Sequence, residues 1–214
     1  IVEQRELMDE YDPERKIGLI LDEWGAWHKP TPGTDPAFLW QQSTVRDAVL
    51  AAVSLDIFHR HADKLYMTNI AQTINVLQSL ILTDEDRMVL TPTFHVFDLY
   101  RPHQNGNLLP LAVSDSAIEG GLPHIASSAS VKDGVVTLTV ANLSPTDTAE
   151  VQVRLPGATE VAVRGLAYDD IRAYNDFGQQ PRVGLEDKAS PRFGEGGFGY
   201  ALPAGSVTRF SIVL

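Results

Sequence analysis

Apolar residues follow two different rhythms along the chain. From Ile1 to about Asn105, short apolar runs alternate with stretches whose apolar positions recur near the ~3.6-residue helical period. Ile1 to Tyr11 carries a weak helical stripe, broken by Asp12-Pro13. Ile17 to Leu21 is a continuous apolar run, the pattern of a parallel strand covered on both faces. Beyond a loop with Pro30, Pro32, Gly33 and Pro36, the spacing predicts a long helix over Phe38 to His61. Leu65 to Ile70 reads as a second short strand, and "VLQSLIL" (Val76 to Leu82) as helical or extended. "PTFHVFDLYRPHQ", Pro92 to Gln104, predicts a helix with Pro92 near its first turn and Pro102 near its end. Strands alternating with helices imply β/α units and a parallel sheet.

After Asn105 the rhythm changes to strict alternation. "GVVTLTVANLS", "AEVQVRLPG", "TEVAVRGLAY" and "SVTRFSIVL" place apolar residues at every second position, separated by Gly, Pro and Asp turns. Asp133-Gly134 marks a hairpin between "IASSASVK" and "VVTLTVAN". The fold class expected is α/β plus all-β. Residues 1–104 are expected to form the end of a (β/α)8 barrel, and residues 105–214 an antiparallel, jelly-roll-like β-sandwich. Two parallel strands cannot close a barrel. The rest of the barrel is therefore expected upstream of Ile1, on a separate chain, and this chain expressed alone is expected to aggregate through its open strands or to remain partly unfolded.

Composition narrows the partners. The 214 residues carry a net charge of -11, which disfavours nucleic acid and anionic membrane surfaces. No apolar run approaches the roughly 20 residues of a membrane span, and the charged N-terminus has no secretory h-region. The absence of cysteine excludes disulfides and Cys-ligated metal and fits a reducing, cytoplasmic setting.

The candidate chemistry sits in "KIGLILDEWGAWHKP", where the first strand ends in Asp22 and Glu23. Alternation along a strand prevents both from facing the same way. In β/α barrels the chemistry lies at the C-terminal strand tips. A single carboxylate there, flanked by Trp24 and Trp27, suits a glycosidase, in which aromatic faces stack on sugar rings. The same acid would also suit a loop cap or an arginine pair, and spacing alone does not separate the readings.

"GLILDEWGAWHKPTPGTDPAFLWQQSTVRDAVLAA", "NIAQTINVLQSLILT" and "MVLTPTFHVFDLYRPHQ" resemble, in order, the C-terminal third of glycoside hydrolase family 51. "DIRAYNDFGQQPRV" (Asp170 to Val183) extends the resemblance more thinly into the second half. The family consists of retaining α-L-arabinofuranosidases with a (β/α)8 barrel followed by a β-sandwich; some members cleave glucan or xylan backbones. The resemblance implies that Glu23 is the catalytic nucleophile at the tip of the seventh barrel strand. It implies that Trp27 lines the sugar site and that Gln72, at the eighth strand, hydrogen-bonds the arabinose. Asn69 and Asn75 are read as supporting residues. The acid/base is expected upstream, so the chain alone is expected to be inactive. An arabinofuranosyl saccharide, an upstream part of the same enzyme and a homo-oligomer, often a hexamer, are the implied partners. No cofactor and no metal are expected.

Other candidates weigh less. Glu85, Asp86, Glu119 and Glu195 lie in turns and are not read as proton donors. His59 and His61 stand two apart, which places them on different helix faces, unlike a helical zinc pair. His28 reads as a surface-loop residue and His95 as a packed one. "FGEGGFG" lacks the strand-to-helix context of a phosphate loop. Tyr168, Tyr174, Phe177 and Tyr200 suit packing better than a sugar face. The competing class is a non-catalytic carbohydrate-binding or assembly module, but such a module needs no partial barrel.

Overall fold

A computed structural model of the chain describes residues 1–114, 117–194 and 196–214. Helix α1 (Val2–Tyr11) stops at Asp12, where the Asp-Pro pair ends the stripe. Its buried Arg5 donates to Asp9 Oδ1 (2.8 Å) and to Ile17 O (3.0 Å), tying the helix to the segment ahead of the first strand. Strand β1 (Leu19–Trp24) pairs in parallel with β2 (Leu65–Ile70), Leu21 opposite Thr68 and Trp24 opposite Ile70. Parallel neighbours need a long crossover, supplied here by α2 (Val45–Arg60). Among the described residues β1 and β2 pair only with each other. Ile17, Ile20, Tyr66 and Met67 are exposed, so the expected cover on both faces of the first strand is not met within this chain.

The second helix starts at Val45 rather than Phe38. Pro36–Phe38 forms a short 3₁₀ turn, and Leu39 then takes a left-handed φ of 51°, which breaks any helix. The true start is fixed by Asp47, whose carboxylate reaches back to the Thr44 N–H (2.8 Å) and hydroxyl (2.9 Å). The N–H groups of Val45 and Arg46, orphans at a helix start, donate to Ala173 O and Ile171 O. Of "VLQSLIL", Val76 to Leu80 form a bent loop with Leu77 at a left-handed φ of 54°, and only Ile81 and Leu82 are extended, opening β3 (Ile81–Asp84), which pairs with β4 (Arg87–Leu90) in an antiparallel hairpin. Helix α3 (Pro92–Tyr100) begins with Thr91 Oγ1 accepting from the Phe94 N–H and Pro92 in its first turn. It passes into a 3₁₀ turn, Arg101–His103.

The alternating half supplies β5 (Asn107–Leu109), β6 (Ile125–Lys132), β7 (Val135–Asn142), β8 (Ala149–Arg154), β9 (Glu160–Leu166), β10 (Glu186–Lys188), β11 (Gly197–Leu202) and β12 (Val207–Val213). Six of them form an antiparallel sheet in the order β10-β9-β12-β7-β6-β5, while β8 and β11 pair as a second layer. Asp133 (φ 51°) and Gly134 (φ 78°) turn β6 into β7, the double left-handed conformation that Asp-Gly favours. One face of the large sheet, with Leu138, Val140, Phe210 and Ile212, packs on Leu202 and Phe198 of the second layer. The other face is covered by α2 and α3, and a single cluster joins Val45, Ala48 and Leu99 to Ala141, Leu166 and Val207. The core therefore runs continuously across residue 104.

That helix-covered face is polar as well as apolar. Asp56 Oδ1 accepts from Tyr100 Oη and from Ser128 Oγ, both at 2.8 Å. His59 Nδ1 lies 2.8 Å from Ser128 Oγ, and His103 bridges Ser130 Oγ (2.8 Å) and Thr139 Oγ1 (3.1 Å). Burial pushes the Asp56 carboxyl up to about 7 against these hydrogen bonds. Burial, with His59 and Arg209 nearby, pushes His103 down to about 3.

Candidate functional site

Glu23 stands at the C-terminal tip of β1, exposed, and its carboxylate has no hydrogen-bond or ion-pair partner among the described residues. Its neighbour Asp22 accepts from Asn69 Nδ2 (3.1 Å). Neither carboxylate caps a loop or pairs with an arginine among the described residues; Asp22 is held by the neighbouring strand. Trp24 turns inward. Its ring stacks on Phe97 (6.0 Å, 11° between planes) and meets Phe58 edge-on at 5.1 Å. The expectation that Trp24 flanks the carboxylate as a sugar platform is overturned, because this ring is spent on the core under the strand. Trp27 is 67% exposed.

Two buried glutamines hold the loop that carries Trp27, and the sequence reading missed both. Gln78, fully buried, accepts from the Ala26 N–H (2.7 Å) and donates to Asp47 O (2.7 Å) and Thr93 Oγ1 (3.2 Å). Gln41 accepts from the His28 N–H (2.8 Å) and donates to Ala26 O (3.0 Å). Trp27 is thus bracketed by backbone groups fixed on either side. Gly25, at φ 138°, lets the chain lie against Gln78, since a Cβ there would come within 3.3 Å of Oε1. No local pattern marks a glutamine as buried; the signal lies in partners far along the chain. His28 is not a free surface residue either. Its Nε2 lies 2.9 Å from Asp47 Oδ1 and 2.8 Å from Arg46 Nη2, beside the start of α2.

Gln72 follows β2 across a cis Ala71–Gln72 peptide bond, and its side chain is exposed. The Ala71 N–H donates to Trp24 O (2.8 Å), and the Gln72 N–H donates to Val76 O (3.1 Å). Glu23 and Gln72 therefore sit at the same end of one parallel pair. Asn75 exchanges hydrogen bonds with Thr83, accepting from its N–H at 2.7 Å, and so fastens the β3–β4 hairpin to the Gln72 loop.

The remaining candidates resolve structurally. His59 and His103 belong to the buried network, and among the described residues no cluster of His, Cys, Asp and Glu is placed to hold a metal ion. Burial lowers the basicity of His95 on α3. Tyr200 packs edge-on against Phe210 at 5.1 Å, and Arg182 lies over Tyr168. Glu85 and Asp86 form the tip of the β3–β4 hairpin, Glu119 opens a 3₁₀ turn, and Glu195 lies outside the described residues.

Residues 22–206 match the family described as the α-L-arabinofuranosidase C-terminal domain. An intracellular exo-α-L-arabinofuranosidase of Bacteroides ovatus is 37% identical over 96% of this chain and 41% of its own length. The crystal structure of the GH51 arabinofuranosidase from Xanthomonas axonopodis pv. citri superimposes with a TM-score of 0.91 at 40% identity, covering 99% of this chain and 44% of that one. An arabinose complex of the Thermotoga maritima α-L-arabinofuranosidase shares the fold, with a TM-score of 0.86 at 20% identity, covering 100% of this chain and 47% of that one. The chain thus spans about two fifths of the curated relative it matches. It belongs to the α-L-arabinofuranosidase C-terminal domain family, within glycoside hydrolase family 51.

Proposed function

We propose that this chain is the nucleophile-bearing part of a retaining exo-α-L-arabinofuranosidase. In this reading β1 and β2 are the seventh and eighth strands of a (β/α)8 barrel whose other strands lie upstream. The observation that carries it is Glu23, an unpartnered carboxylate at the C-terminal tip of one parallel strand, with Gln72 at the same end of the next. Open strand edges and the exposed Ile17, Ile20, Tyr66 and Met67 support continuation of the sheet by another segment. A homo-oligomer of intact subunits, and an intracellular location like that in the name of the Bacteroides ovatus relative, belong to the same reading.

Glu23 attacks the anomeric carbon of a terminal arabinofuranosyl residue as an upstream carboxylic acid protonates the departing oxygen. A glycosyl-enzyme ester forms, and the second group, on the order of 5 Å away, then deprotonates the water that hydrolyses it. Trp27 offers an apolar ring face to the sugar, and Gln72 offers a donor and an acceptor to its hydroxyls. Because Gln41 and Gln78 fix the backbone beside Trp27, the ring is positioned before substrate arrives.

The test is hydrolysis of 4-nitrophenyl α-L-arabinofuranoside by the full-length protein and its Glu23→Ala variant. The variant is expected to lose roughly four to six orders of magnitude in kcat, the scale seen when hydrolases lose central catalytic groups. A variant that retains wild-type turnover would remove Glu23 from the mechanism.

A further inference from the structure

A groove of about 760 Å³ lies between the β3–β4 hairpin, the first turns of α3 and the loop at residues 175–185. Its volume falls in the range of small-molecule sites. Phe94, Phe177 and Met88 supply apolar surface, and Arg87, Asp176 and Gln179 supply donors and acceptors around it. Sugars combine C–H faces with a rim of hydroxyls, and this lining matches both. The charges also select. In a chain of net charge -11, Arg87 and Arg164 in the groove are balanced by Asp98 and Asp176, and burial lowers the basicity of His95. The balance suits an uncharged ligand better than an anion.

The walls of the groove are tied to the loops of the candidate active site. Phe177 lies 6.5 Å from Trp40, and Arg87 stacks 5.1 Å above the same ring. Trp40 accepts a backbone hydrogen bond from Thr31 (2.8 Å) in the loop that carries Trp27. On the other side the hairpin is bonded to the Gln72 loop through Asn75 and through the N–H groups of Leu80 and Ile81, which donate to Thr73 O. Packing and hydrogen bonds thus link the groove to the loops bearing Trp27 and Gln72.

We propose that this groove binds the neutral oligosaccharide that carries the terminal arabinofuranosyl residue, extending the substrate site onto the hairpin and the 175–185 loop. The proposal rests on the arabinofuranosidase reading above. Contacts of this kind are remote from the bond broken. They strengthen binding of long substrates and are not sensed by a short one.

The experiment compares the full-length protein with its Arg87→Ala, Phe177→Ala and Gln179→Ala variants on two substrates. One is 4-nitrophenyl α-L-arabinofuranoside, too short to reach the groove; the other is a set of arabino-oligosaccharides of increasing length. The expected result is a rise in KM of about tenfold on the longer substrates for Arg87→Ala and Phe177→Ala, with the short substrate unchanged. Gln179→Ala, at an exposed loop position, should show the same pattern more weakly without disturbing the fold. Equal kinetics of wild type and variants on every length would overturn the groove and leave the arabinofuranosidase intact. Parallel losses on short and long substrates also overturn it, because they mark local disruption. If the wild type cleaves no arabinofuranoside, the activity reading fails. Calorimetric titration with the same oligosaccharides then decides the groove, with binding abolished in Phe177→Ala supporting it and no binding to wild type rejecting it.

Discussion

Asp56 provides the sharpest quantitative test of the way the helices are seated on the sheet. Its carboxyl is buried, and Oδ1 accepts from Tyr100 and Ser128 while Oδ2 has no partner among the described residues. Burial raises it from 3.8 to about 7, outweighing those hydrogen bonds and the charge of Arg60. Between these values the folded protein holds a proton that the unfolded chain has released. Stability therefore falls as pH rises through this window, and the loss is complete above the folded value. At about 1.4 kcal/mol per pH unit the full span is about 4 kcal/mol, and the step from about pH 5 to about pH 8.5 traverses about 3 kcal/mol of it. Asp56→Asn keeps an oxygen for Tyr100 and Ser128 but cannot ionise. Any cost of its unpaired amide hydrogens, about 1–3 kcal/mol, is the same at both pH values and cancels in the comparison. Urea unfolding of the full-length protein and this variant at the two pH values is the assay. The variant should gain about 3 kcal/mol relative to wild type at the higher pH. A protonated-carboxyl band in the infrared difference spectrum, lost near pH 7, would accompany it. Parallel stability curves would refute the reasoning.

Two further substitutions test the supports beneath the candidate site. Gln78→Leu leaves the Ala26 N–H and Asp47 O without their buried partner, so unfolding measured in urea should show a loss of about 2–4 kcal/mol. Activity on the short arabinoside should fall with it, as the Trp27 loop loosens. Asp47→Ala removes the acceptor at the start of α2 and should cost about 2 kcal/mol in the same assay, whereas Arg46→Ala, at an exposed side chain, should cost under about 1 kcal/mol.

Sequence reading reached the features written in local patterns. The β1–α2–β2 unit, the Asp133-Gly134 hairpin and the helix start at Pro92 all follow from neighbours within a few residues. It failed where distant partners decide. Apolar spacing carried the second helix back to Phe38, but the left-handed turn at Leu39 and the buried hydrogen bonds of Gln41 and Ser43 claim that stretch for a loop. Trp24 and Trp27 looked alike in the text, yet one fills the core and the other stays exposed, because the inward side of the strand tip is set by α2 and α3. In the alternating half, Ser128, Ser130 and Thr139 read as an ordinary polar face. Their burial under two helices became visible only once His59, His103 and Asp56 stood opposite them.

The polar seam explains why the two sequence rhythms meet in one core. A helix that crosses between two parallel strands ordinarily turns its outer side to water, so polar side chains there need no partners. Here α2 and α3 lie on a sheet, and each polar side chain at the contact must find a mate or bear a desolvation cost. Most do: His103 is met by Ser130 and Thr139, Ser128 by His59 and Asp56, and Asp56 by Tyr100. The same docking closes the far end of α2, where Ala173 O and Ile171 O accept its first N–H groups, and the end of β4, where Asn175 donates to Leu90 O (2.9 Å). These bonds fix α2 and the β3–β4 hairpin, and through Asp47, Gln78 and Asn75 they fix the loops that bear Trp27 and Gln72. The sheet half of the chain is thus part of what positions the candidate site, although it contributes neither Glu23 nor Gln72.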